Sequence, residues 1–145
     1  MATAPGFSLI ELMMVVGFLA IVGSFSVVFG IRAVAIQELD SARDTAMSEL
    51  SLARDHAMGG SNDSSWGVMF ATSSLTTFKG PSFTGRDPVF DRTTTFGSRV
   101  TFTGATSVVF LPPDGMVQAT GTVLMTNGSV TTSVGVNAIG GIEIH

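Results

Sequence analysis

Between Leu12 and Ile31 the chain carries no charged side chain for twenty consecutive positions. Nothing else in its 145 residues limits the fold as sharply. A run of this kind has no polar face to turn to water, so it cannot lie on the surface of an ordinary globule. As a helix rising ~1.5 Å per residue it would be about 30 Å long, the thickness of a bilayer's hydrocarbon core. The run therefore predicts a membrane helix. Every Lys, Arg, Asp and Glu except Glu11 lies beyond it, in a stretch rich in Thr, Ser, Gly and Val that reads as a separate folded domain.

Composition narrows the function classes. The formal net charge is −4 and Lys79 is the only lysine, a balance that repels phosphate backbones and disfavours nucleic acid as a partner. With no cysteine, neither a disulfide framework nor a thiolate metal site is available. The folded part must hold together by packing.

Three kinds of segment compete for the first thirty residues: a secretory signal peptide, a plain anchor, or a prepilin-type leader joined to a long helix. A secretory leader wants a basic start and a short apolar stretch. Met1 to Gly6 contain no Lys or Arg, and the apolar run is too long. A plain anchor leaves Glu11 unexplained. A carboxylate in an apolar span costs roughly 2.5–3.5 kcal/mol at the bilayer centre, so it is a functional candidate, although a helix N-terminus at a membrane edge also favours an anion.

The string Gly6-Phe7-Ser8-Leu9-Ile10-Glu11-Leu12-Met13-Met14-Val15-Val16 resembles the prepilin motif of type IV pilins and type II secretion pseudopilins. The resemblance implies cleavage after Gly6 and N-methylation of Phe7 by a prepilin peptidase and methyltransferase. It also implies a role for Glu11 in assembly with other pilin or pseudopilin subunits. The new α-amine of Phe7 on one subunit would pair with the Glu11 carboxylate of a neighbour, where an unpaired buried charge is heavily penalised. Most leaders of this kind carry Lys or Arg ahead of the glycine. This one has none, so placing the N-terminus in the cytoplasm rests on the motif.

After Ile31 the helical pattern turns amphipathic. Leu39, Ala42, Ala46, Leu50, Ala53 and Ala57 recur at steps of three and four, with Asp40, Arg43, Asp44, Glu49 and Asp55 outside the stripe. The alanines predict close packing against a sheet, and Gly59-Gly60 supplies a stop. Strands are then expected at 65–71, 75–79, 99–103, 106–111, 116–126, 129–136 and 141–145, with 80–97 an irregular loop. Pro112-Pro113-Asp114-Gly115 and Asn127-Gly128 are hairpin punctuation. Leu52-Ala53-Arg54, Trp66-Gly67-Val68, Val108-Val109-Phe110 and Asp114-Gly115 resemble the H-type minor pseudopilins and related minor pilins.

Chemical signatures are sparse. His56 stands alone on the helix beside Asp55, and no metalloprotease, P-loop or nucleophile-elbow string occurs. Asp87, Asp91 and Asp114 could join in a calcium site with loop carbonyls, although their irregular spacing favours exposed loop carboxylates. Asn62-Asp63-Ser64 and Asn127-Gly128-Ser129 match the glycosylation pattern, but turn chemistry accounts for both. Arg86, Arg92 and Arg99 could form a small basic patch.

The expected architecture is α+β. A long N-terminal helix, membrane-spanning in its first half and amphipathic in its second, packs on a C-terminal antiparallel β-sheet domain. Its divisions are a leader at 1–6, a membrane and assembly helix at 7–31, an amphipathic helix at 32–58 and a β-rich domain at 59–145. The expected function is a non-enzymatic structural subunit of a type IV pilus or type II secretion pseudopilus, without cofactor or metal. It would sit first in a prokaryotic cytoplasmic membrane and then in an extracytoplasmic filament. The alternative is a membrane-tethered binding module, an adhesin or a DNA-uptake minor pilin.

Overall fold

The computed structural model describes residues 6, 8–59 and 63–144, apart from the side chains of 25–33. Helix α1 runs over Leu9–Met58. Its first turn is set by Ser8, whose carbonyl accepts hydrogen bonds from the amides of Glu11 (3.0 Å) and Leu12 (3.2 Å). At the other end the Gly59 amide donates to the Asp55 carbonyl at 2.7 Å, where the expected glycine stop lies. The chain divides into two compact units, Met1–Val34 and Ala35–His145.

The second unit holds nine strands: β1 (Trp66–Ala71), β2 (Ser74–Lys79), β3 (Asp87–Thr95), β4 (Thr101–Gly104), β5 (Ser107–Leu111), β6 (Met116–Val117), β7 (Gly121–Thr126), β8 (Thr131–Val136) and β9 (Ile142–Ile144). They form two antiparallel sheets. One has the order β3-β2-β1-β5-β6 and the other the order β4-β7-β8-β9. The sheets meet where the Phe102 amide of β4 donates to the Thr72 carbonyl just past β1 (3.0 Å). Asn127 builds the β7–β8 turn, its Oδ1 accepting from the amides of Ser129 (3.0 Å) and Val130 (2.9 Å). The Nδ2 of the same side chain donates to the Ala35 carbonyl at 2.8 Å and clips the helix to the sheet.

One core serves this unit. Leu39, Ala42, Ala46, Leu50, Ala53 and Ala57 are all buried in it, as their spacing predicts. They meet Val68, Phe70, Leu75, Val108 and Phe110 from the five-stranded sheet and Phe102, Val123, Met125, Val134 and Val136 from the other. Each large side chain so buried stabilises the fold by roughly 1.5–3 kcal/mol. Four of the six helical positions are alanine, so the helix presents a mostly small-residue face to the core.

The expected architecture needs correction. Among the described residues no helix is long and apolar enough to cross a membrane. The described side chains of α1 fall into two shorter stretches, 9–24 and 34–58, and the unit boundary at Val34/Ala35 leaves nearly all of the second stretch in a different unit from the first. The β part of the second unit is two antiparallel sheets, of five and four strands.

Two strand expectations also fail. Residues 87–95, read as part of a loop, form the nine-residue edge strand β3. The single strand expected at 116–126 is two, β6 and β7, and the chain changes sheet between them. In β3 only Asp91 and Thr94 are even partly buried, so no apolar alternation was needed to make it a strand.

Candidate functional site

The residues that the sequence singles out lie at the start of α1. Gly6 is exposed just ahead of the helix, and Glu11 is exposed in its first turn, where the helix dipole favours a carboxylate. Phe7, the expected site of cleavage and methylation, lies outside the described residues. So do most of the expected leader, residues 1–5, and Asn62 of the first glycosylation pattern. Ser8 and Glu11 have the spacing of a capping box, three residues apart around the first turn. No hydrogen bond or ion pair engages the Glu11 carboxylate among the described residues.

What surrounds Glu11 is apolar and uncovered. Eleven large apolar side chains between Leu9 and Val22 are exposed, from 47% at Val22 to 77% at Leu9. At 3.6 residues per turn they leave no sector of the helix wider than about 60° without one. Gly17 and Gly23 have open space where a side chain would stand. Ser24 turns its hydroxyl back onto the Ile21 carbonyl at 2.7 Å, which removes it as a donor to anything else.

A second polar constellation sits in the folded unit, and the sequence reading placed its central residue outside the buried stripe. Glu49 is only 6% exposed. Its Oε2 accepts from the Thr77 hydroxyl of β2 at 2.8 Å, and its Oε1 faces the Arg92 Nε of β3 at 3.6 Å. The signal was present, since Glu49 lies three residues after Ala46 and four before Ala53, on the same face. Glu49 and Arg92 line a groove of about 580 Å³ between α1 and β3, together with Asp40, Asp44 and the hydroxyls of Ser41 and Ser48.

The remaining candidates are spent on local structure. Arg86 pairs with Asp91 at 2.8 Å, donates to the Phe83 carbonyl at 2.7 Å and lies over the Phe83 ring. Arg99 faces Glu38 at 3.8 Å, so each of the three arginines once grouped as a basic patch has its own carboxylate. Asp87 accepts from the Val89 amide at 3.2 Å. It shares β3 with Asp91, whereas Asp114 lies in the turn between β5 and β6, at the opposite edge of the sheet. No group of three or more His, Asp or Glu side chains among the described residues is placed to hold a metal. His56 stacks on Trp66, ring centroids 4.5 Å apart.

No protein-family model matches this chain, and no curated protein or solved structure matches it either.

Proposed function

We propose that the chain is a structural subunit of a type IV pilus or type II secretion pseudopilus, cleaved after Gly6, N-methylated at Phe7, and assembled through the first stretch of α1. The observation that carries this reading is the apolar surface on every side of residues 9–24. A helix apolar all round is stable only when surrounded. A single partner helix covers one seam, so several neighbours must pack around it at once, and copies of the same segment supply a surface of matching character. The prepilin-like string Gly6 to Val16 supports the same reading from the sequence.

Glu11 then has a specific task. Packed among apolar helices its carboxylate would be costly unless met by a cation, and the α-amine released at Phe7 of a neighbouring copy provides one. The pair would fix the stagger between neighbours. On this reading the two-sheet unit faces outward on the extracytoplasmic side and presents the contacts that distinguish this subunit from others in the filament.

The test is to shear filaments from cells producing the protein and identify its N-terminal peptide by mass spectrometry. The expected peptide begins at methylated Phe7. A chain that still begins at Met1 or Ala2 and never enters filaments would overturn the proposal. Glu11→Ala is expected to be cleaved normally yet to assemble at least tenfold less; unchanged incorporation would remove Glu11 from the mechanism.

A further inference from the structure

The chain has eight methionines and no cysteine, so thioethers are its only oxidisable sulfur. Two of them, Met13 and Met14, stand side by side in the apolar stretch of α1, 67% and 72% exposed. Met125, by contrast, is fully buried in the core of the second unit. We propose that Met13 and Met14 form an oxidation-sensitive switch on assembly, a reading that rests on the proposed role of residues 9–24 as the packed segment of a filament.

The chemistry needs a peroxide as oxidant. A lone pair on the methionine sulfur attacks one peroxide oxygen and the O–O bond breaks. The sulfur gains that oxygen as a sulfoxide, and the other oxygen leaves as water after proton transfer. Sulfur is oxidised by two electrons and the peroxide is reduced. The product is a polar, chiral group with a strong hydrogen-bond acceptor in place of a flexible apolar one.

What makes the change consequential is the lack of donors nearby. The amides of Glu11 and Leu12 are already bound to the Ser8 carbonyl, and those from Met13 onward belong to the helix ladder. Ser24 holds its hydroxyl on the Ile21 carbonyl. Glu11, one turn away, offers only acceptor oxygens. In water a sulfoxide on Met13 or Met14 is hydrated. Packed against neighbouring copies of this stretch it would either go unpaired or compete with Glu11 for the neighbour's Phe7 α-amine, and burying an unsatisfied acceptor or carboxylate is strongly unfavourable. Oxidation therefore leaves the free chain folded and disfavours only the assembled state. Assembly in turn hides both sulfurs, so filaments resist the oxidant that blocks free subunits.

The experiment compares the full-length chain, free and in filaments, after treatment with hydrogen peroxide, using peptide mass mapping and a sedimentation assay for assembly. Met13 and Met14 are expected to oxidise at least tenfold faster in the free chain than in filaments, with Met125 protected in both. Pre-oxidised chain is expected to assemble at least tenfold less. The Met13→Leu/Met14→Leu variant is expected to assemble with or without peroxide. Unimpaired assembly of chain oxidised at both positions would overturn the switch while leaving the assembly reading intact. Equal loss in the leucine variant would do the same, placing the damage at another methionine. An untreated chain that never assembles would overturn both.

Discussion

The two described stretches of α1 use similar apolar residues to opposite ends. In residues 35–58 the large and small apolar groups keep to one stripe, and the stripe vanishes into a core shared with two sheets. In residues 9–24 they go all the way round and stay exposed. The first pattern completes a fold. On the proposed reading the second is completed by neighbouring copies, and its apolar surface then contributes to assembly rather than to the stability of the subunit.

The sharpest way to break this contrast is to truncate one leucine in each stretch and follow unfolding of the second unit by urea denaturation. Leu50 is fully buried. Leu50→Ala should cost about 2–5 kcal/mol, through lost burial and the cavity left between helix and sheets. Leu19 is 61% exposed. Leu19→Ala should stay within about 0.5 kcal/mol, as exposed substitutions do. Comparable losses in the two variants would mean that the first stretch packs within the subunit after all.

The next largest effect concerns Glu49, the one carboxylate buried in the second stretch. Glu49→Ala removes the acceptor of the Thr77 hydroxyl and leaves that hydroxyl, on a residue 2% exposed, without its partner. A loss of about 1–3 kcal/mol follows from stranding a buried polar group. Arg92 is 67% exposed at its end of the same pair, so Arg92→Ala should cost under about 1 kcal/mol. Reversal of that order would make the ion pair, rather than the Thr77 hydrogen bond, the anchor of the helix on the sheet.

Legibility in the sequence follows the same divide. The stripe Leu39 to Ala57 could be read from spacing alone, because burial against a sheet imposes a helical period on apolar residues. The turn at Asn127-Gly128 could be read because Gly128 takes φ +86° and Asn127 satisfies the neighbouring amides. Strand β3 was hidden: Pro88, Asp87, Asp91 and Arg92 give no alternation, and an exposed edge strand is held by its backbone pairing with β2. The split of β6 from β7 was hidden too, since Val117 and Val123 look alike although they serve different sheets. At the candidate site the string Gly6 to Val16 offers a resemblance only, and a run of apolar residues alone does not say whether lipid, protein or neighbouring copies will cover it.

Asn127→Ala is a smaller perturbation that asks how the second stretch is tied down. The variant loses the 2.8 Å donation to the Ala35 carbonyl and both turn contacts at Oδ1. Because water reaches this turn, the expected cost is about 1 kcal/mol, near the typical net value of a hydrogen bond. Hydrogen exchange should quicken at the amides around Leu39, just inside the boundary between the units, and little elsewhere. Uniform quickening across the sheets would mean that the turn organises the whole unit rather than the helix entry.

The smallest expected effect on subunit stability is also the most informative for the contrast. Gly17, Ala20 and Ser24 lie within one side of the first stretch, turned away from Glu11 at about 100° per residue. Nothing stands within 4 Å of where a Gly17 side chain would begin. Gly17→Leu therefore has room, and leucine favours a helix by up to about 1 kcal/mol over glycine, so neither helicity nor the urea midpoint of the second unit should fall. If copies of the stretch approach closely along this side, the added side chain must hold their backbones apart, and filament yield should drop while stability does not. Retained yield would show that the small residues set no spacing, leaving the large apolar side chains and Glu11 to organise the packing. A drop in yield with a matching drop in stability would instead place Gly17 in a contact within the chain, contrary to the open space around it.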